Sequence, residues 1–109
     1  MIDTNFKFGE VYNLADRVQA DSERVQFTPV IGGDNGGVSL LAFKAGQGLS
    51  EHLAPAELMV TVLEGEIVFT IREAPHVVRA GEFLLVGEGV PHSVAANLDS
   101  KVLLTKIKP

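Results

Sequence analysis

Glycine spacing constrains the fold of this chain more than any other feature of its sequence. The 11 glycines recur at short intervals, and the runs between them are rich in Val, Leu, Ile and Phe. Short apolar runs separated by turn residues are typical of an all-β sandwich or barrel. Because no helical periodicity of useful length follows residue 25, the sequence predicts an all-β fold with about eight or nine strands.

Length and composition limit the classes of protein that fit. The 109 residues predict one domain, with a barrel over about residues 25–108 and an N-terminal strand or arm over about residues 1–24. The net charge of −5 offers no basic patch for nucleic acid. No apolar run approaches the ~20 residues that span a bilayer, and no targeting segment is visible, so we expect a cytoplasmic protein without nucleic-acid or membrane partners. With no cysteine, a metal ion would need His, carboxylate or amide ligands.

Alternation within the apolar runs predicts which side chains face the core. In the run Leu58–Leu63, Leu58, Val60 and Val62 share one face, and the opposite face is apolar except at Thr61. An apolar outer face needs a cover, which either the N-terminal segment or a second subunit would supply. We therefore expect a homodimer that uses such a sheet face.

Three further predictions are local. Glu64-Gly65 is expected to join two strands as a tight hairpin. Pro29 cannot donate a ladder hydrogen bond, so its strand is expected to be an edge strand or to end early. In the N-terminal arm, a short strand near Glu10–Leu14 and at most one helical turn are expected. His76 follows Pro75 and is expected in an exposed turn, without a functional role.

Two stretches of the chain carry a resemblance to a known family. The first runs from Gly46 to Gly65 and contains His52, and the second runs from Gly81 to Asn97 and contains Val90-Pro91-His92. They resemble the two cupin motifs, G-x5-H-x-H-x3–4-E-x6-G and G-D-x5-P-x-G-x2-H-x3-N. The resemblance covers most of the chain and implies a cupin-type double-stranded β-helix, which is a jelly-roll barrel.

The resemblance also implies a metal site. In metal-binding cupins, the two His and the Glu of the first motif and the His of the second hold Fe, Mn, Ni, Zn or Cu inside the barrel. Two of these positions carry over, as His52 and His92, whereas Ala54 and Leu58 stand at the other two. Glu57 precedes the Glu position by one residue. Strand alternation would place Glu57 on the opposite face unless a β-bulge intervenes, so it is a candidate third ligand. A divalent metal would thus be held weakly or not at all.

Apolar residues at two ligand positions predict an apolar cavity with two polar groups, which is the usual form of a small-molecule site. The residues expected to line it are Phe43, Ala54, Leu58, Val60, Val62, Phe69, Ile71 and Val94. The alternative is that these side chains pack together as a filled core.

Three functions stay open, because the cupin fold alone does not define an activity. The first is a small-molecule-binding cupin with a degenerate histidine-based metal site. The second is a metal-dependent enzyme of the dioxygenase or isomerase type that uses His52, His92 and a third ligand. The third is a regulatory or structural barrel without a ligand. Neither the substrate nor the reaction can be read from the residues.

Overall fold

The computed structural model describes residues 3–109, and strands form nearly all of its regular structure. Within this range the strands are β1 Asp3–Thr4, β2 Gln26–Gly33, β3 Gly36–Phe43, β4 Gly48–His52, β5 Glu57–Glu64, β6 Glu66–Ile71, β7 Ala74–Arg79, β8 Phe83–Val86, β9 His92–Ala96 and β10 Ser100–Ile107. A single 3-10 turn lies at Ala15–Arg17. The predicted all-β fold is confirmed, although the two-residue β1 was signalled by no apolar run. No helix in residues 3–109 is long and apolar enough to cross a bilayer.

Two antiparallel sheets form the barrel. The six-stranded sheet has the order β1-β2-β3-β10-β5-β8, and the four-stranded sheet has the order β4-β9-β6-β7. Their inner faces enclose the main core. The predicted alternation in β5 is confirmed, because Leu58, Val60 and Val62 are buried in this core. The same holds in β3, where Leu41 and Phe43 face inward.

The junction at Gly65 differs from the expected hairpin. β5 and β6 follow one another in sequence but belong to different sheets, so Gly65 turns the chain from one sheet to the other. Its φ of 85° is in the left-handed region, and an added Cβ would collide with the Asp99 carbonyl oxygen and with Ser100. Glycine is therefore required at this corner on two counts.

The outer face of the six-stranded sheet is covered over only part of its width. Val18 of the N-terminal segment packs on Leu40 and Ala42, and the cluster extends to Leu63 on β5. Lys101 Nζ also donates a hydrogen bond to the Ala15 carbonyl oxygen at 2.6 Å. The N-terminal segment, one of the two covers predicted for this face, thus covers part of it.

The N-terminal arm departs from the sequence prediction. Residues 10–14 form no strand, and Val11 is 99% exposed, so the apolar spacing there does not reflect burial. The strand that does form is β1, which pairs with β2 through Asp3 and Thr4. The 3-10 turn at Ala15–Arg17 agrees with the prediction of at most one helical turn.

Of two other local predictions, the first holds in one of its alternatives and the second is corrected. β2 does not end at Pro29 but continues to Gly33. At Pro29 it is an edge, because the outer strand β1 pairs only with Ile31 and Gly32, and the ladder with β3 shifts register between Pro29 and Ile31. His76 lies within β7 opposite Phe69, not in a turn. The turn comes earlier, at Arg72 and Glu73, whose φ values are both positive.

Candidate functional site

His52 and His92 meet on the four-stranded sheet. They are opposite each other in the β4–β9 ladder, with ring centroids 4.4 Å apart and planes inclined at 64°. His92 is 3% exposed. Its ring stacks on that of Phe69, with centroids 5.3 Å apart and planes inclined at 16°. His52, in contrast, is exposed. His52 and His92 are 40 positions apart in the sequence. The two motifs thus bring their imidazoles into one pair.

Hydrogen bonds fix the tautomer of both rings. His52 Nδ1 lies 2.8 Å from the Ser50 carbonyl oxygen, and His92 Nδ1 lies 2.9 Å from the Val90 carbonyl oxygen. A carbonyl oxygen only accepts, so each Nδ1 must carry the proton and donate it. In the neutral rings, Nε2 is then left as the acceptor, free for a ligand's hydroxyl or N–H group or for a metal ion.

Burial favours the neutral form of His92. Desolvation of the ring lowers the pKa of His92, the hydrogen bond to the Val90 carbonyl opposes this, and the nearby His52 lowers it further. Loss of solvent around a ring disfavours its charged form, and so does a neighbouring positive charge. The buried member of the pair is therefore an acceptor at neutral pH.

An apolar cavity of about 230 Å³ lies against the pair, between the two sheets. Its lining comprises Leu41, Phe43, Leu49, His52, Leu53, Ala54, Pro55, Leu58, Val60, Ile67, Phe69, His92, Val94, Val102, Leu104 and Lys106. The structure thus leaves space inside the barrel, beside two polar rings.

Residues 39–107 match the cupin domain model, which covers more than half of the chain. This chain belongs to the cupin family. No curated protein matches its sequence. The family explains why the two histidine motifs converge in one barrel, and it assigns no activity.

Solved structures share the fold of this cupin. An RmlC-like cupin from Desulfovibrio desulfuricans is 34% identical, with a TM-score of 0.81 over 92% of this chain and 97% of that one. A conserved Streptococcus pyogenes protein of unknown function is 24% identical, with a TM-score of 0.90 over 97% of this chain and 93% of that one. A predicted oxalate decarboxylase from Thermotoga maritima is 17% identical, with a TM-score of 0.72 over 78% and 81% of the two chains. The last two likenesses show the fold alone.

The residues of this cupin do not fit the family's four-ligand metal centre. Ala54 and Leu58 line the cavity at the two remaining ligand positions but offer no donor atom. Glu57 is exposed, because it precedes the inward-facing Leu58 and no bulge reverses the alternation. Among the described residues, no group of three or more His, Cys, Asp or Glu side chains is placed to hold a metal ion.

Most of the expected lining lies at the cavity, with two exceptions. Phe43, Ala54, Leu58, Val60, Phe69 and Val94 all line it. Val62 is fully buried in the core, and Ile71 packs against the core from the end of β6. Both face inward, and their ladder partners Val102 and His92 do line the cavity, so the predicted face is right but these two side chains do not reach the open space.

One wall of the cavity does not follow from the sequence alone. Val102, Leu104 and Lys106 line it from alternate positions of β10. They alternate with Leu103 and Thr105 as residues of one strand face do. Because Leu103 is as apolar as Leu104, the pattern does not decide which face is inward.

Proposed function

We propose that this cupin binds a small organic molecule in the cavity beside His52 and His92. The observation that carries the proposal is the cavity itself, which is largely apolar and has two acceptor nitrogens at one end. Such pockets, with few polar groups that orient a ligand, are typical of small-molecule sites. A filled barrel without a ligand would leave no such space.

The cavity volume sets the size of the ligand. An apolar cavity of ~150 Å³ is enough to hold benzene. The space of about 230 Å³ therefore suits one ring, or a chain of similar bulk, with a few substituent atoms. A hydroxyl or N–H group of the ligand would donate to Nε2 of His52 or His92, while the Phe69 ring that stacks on His92 contacts its apolar part.

A metal-dependent reaction has less support in the donor set. Two neutral imidazoles can hold Zn, Ni or Cu weakly with water in the remaining positions, but catalytic centres ordinarily use three or more protein ligands. Glu57, the candidate third ligand, lies on the outer face. The site therefore supports the binding of a small molecule but no particular reaction.

Phenol is a suitable probe, because it combines one ring with one hydroxyl donor. Titrated into 15N-labelled protein, it should shift the amide resonances of the lining residues. Ala54→Phe, which places a ring at the cavity wall, should abolish these shifts, whereas Ala74→Phe, at an exposed position of β7, should preserve them. Shifts that persist in Ala54→Phe, or that lie outside the cavity, would contradict the proposal.

We also propose a homodimer through the uncovered part of the six-stranded sheet. Phe83 and Leu85 of β8 and Ile107 of β10 are each more than half exposed there, and Met59 lies opposite Leu85 in the ladder. The chain carries a net charge of −5, but on this face the exposed Glu57, opposite Ile107, is the one acidic group of residues 3–109 beside these apolar side chains, so a second copy would meet little like-charge repulsion there. The cytoplasmic location stays a prediction from the sequence.

A further inference from the structure

Lys106 brings a positive charge to the cavity. It follows Val102 and Leu104 at alternate positions of β10, and it lines the cavity with them although it is itself exposed. In the sheet it stands between Leu58 of β5 and Gly37 of β3. A lysine in such a place lays its methylene groups on apolar surface and keeps its ammonium at the opening.

Lys106 and the histidine pair lie on opposite walls of the same space. Lys106 belongs to the six-stranded sheet, while His52 and His92 belong to the four-stranded sheet. All three line the cavity. A ligand between the sheets would therefore have imidazole nitrogens on one side and an ammonium on the other.

No negative charge balances this lysine within the cavity. The lining holds no Asp or Glu among the described residues, and Lys106 forms no ion pair anywhere in residues 3–109. Asp34 lines a neighbouring hollow together with Lys106 but forms no ion pair with it, so the ammonium group remains available to an anion at the mouth of the apolar cavity. A ligand that carries the missing negative charge would complete the site.

We infer that the cavity takes a small organic acid, whose apolar body lies among the lining side chains and whose carboxylate lies at Lys106. This inference rests on the proposed function and names the class of ligand. The lysine selects for a negative end, the apolar walls select for an uncharged body, and the volume limits that body to about one ring. A hydroxyl on the body would reach the histidine pair.

Benzoate, benzamide and benzamidine test the charge directly, because they share one skeleton and carry charges of −1, 0 and +1. Dissociation constants come from amide shifts of the lining residues at neutral pH and low salt. Benzoate should bind most tightly, about tenfold better than benzamide, which corresponds to ~1.4 kcal/mol. Benzamidine should bind most weakly. Lys106→Met keeps the stem and should remove the preference for benzoate, and Lys108→Met, outside the lining, should retain it.

The outcomes separate the two proposals. If phenol or benzamide binds in the cavity as tightly as benzoate, or if Lys106→Met keeps the preference, the inference fails and the proposed function stands. If none of the three compounds and not even phenol shifts the lining resonances, both fail. Lys106→Gln serves as a second uncharged variant. Thermal melting of both variants beside the parent protein shows whether either has lost its fold rather than its preference for benzoate.

Discussion

Restoring the two missing ligand positions should create a metal site in this barrel. Leu58 is 5% exposed and, with Ala54, lines the cavity that holds His52 and His92. The double variant Ala54→His/Leu58→Glu would therefore present three imidazoles and one carboxylate to a common space. If Ala54 and Leu58 are what removed the centre, divalent metal should now bind and stabilise the fold.

The expected magnitude follows from burial and from mass action. Replacing a buried leucine costs about 2–5 kcal/mol when a cavity is left, and glutamate retains part of the stem but desolvates its carboxyl group. We expect the metal-free variant to lose about 3 kcal/mol of unfolding free energy. Metal at a hundred times its dissociation constant should return ~2.7 kcal/mol, which raises the melting temperature of a domain of this size by roughly 10–20 °C.

Scanning calorimetry measures this shift after dialysis against EDTA and again with added ZnCl2 or MnCl2. The matched control, Ala54→Gln/Leu58→Gln, introduces polar side chains of similar size but adds neither an imidazole nor a carboxylate. Because it keeps only the original two histidines, it should melt at a temperature that responds far less to metal. A double variant that melts at the same temperature with and without metal, or a control that shifts equally, would refute the placement of these ligand positions.

Three other predictions address the dimer, the corner glycine and the buried histidine. Leu85→Glu should convert the protein to a monomer in analytical ultracentrifugation while Leu98→Glu does not; a parent protein that is already monomeric would rule out the dimer. In urea unfolding, Gly65→Ala should cost more than the ~1–3 kcal/mol of left-handed backbone strain. Gly81→Ala, with φ of 87° but open space around it, should cost that strain alone, and equal losses would contradict the collision argument. Burial lowers the pKa of His92 below its ordinary value of 6.5, so the unfolded chain binds more protons and unfolding free energy should fall as pH drops below 6.5 in EDTA. In His92→Phe the unfolding free energy should fall less steeply with pH. A variant with the same pH profile as the parent protein would contradict the assignment of this fall to His92.

Strand faces were predictable from the sequence because they depend on the two-residue repeat alone. β5 shows this, since Leu58, Val60 and Val62 point into the core as their alternation indicates. The same alternation predicts that Glu57 lies outside the barrel unless a β-bulge intervenes. Glu57 is exposed and no bulge occurs there.

Strand partners were not predictable in the same way. Glu64-Gly65 has the residues of a tight turn, and the chain does turn there. Whether the two strands then pair or diverge depends on β10, which pairs with β5 over its length, and on β9, which pairs with β6. Those contacts join distant segments, so a local pattern carries no information about them.

Strand alternation leaves undetermined which of the inward-facing residues reach the cavity. Val62 and Ile71 face inward and yet lie outside the lining, although their ladder partners Val102 and His92 lie within it. The β5–β10 ladder sets the exposed Lys106 opposite Leu58, at the start of β5, where the first-motif residues Ala54 and Leu58 meet the cavity. Because this juxtaposition comes from the pairing of strands that are distant in sequence, the charge that defines the proposed ligand class becomes visible only after the barrel closes.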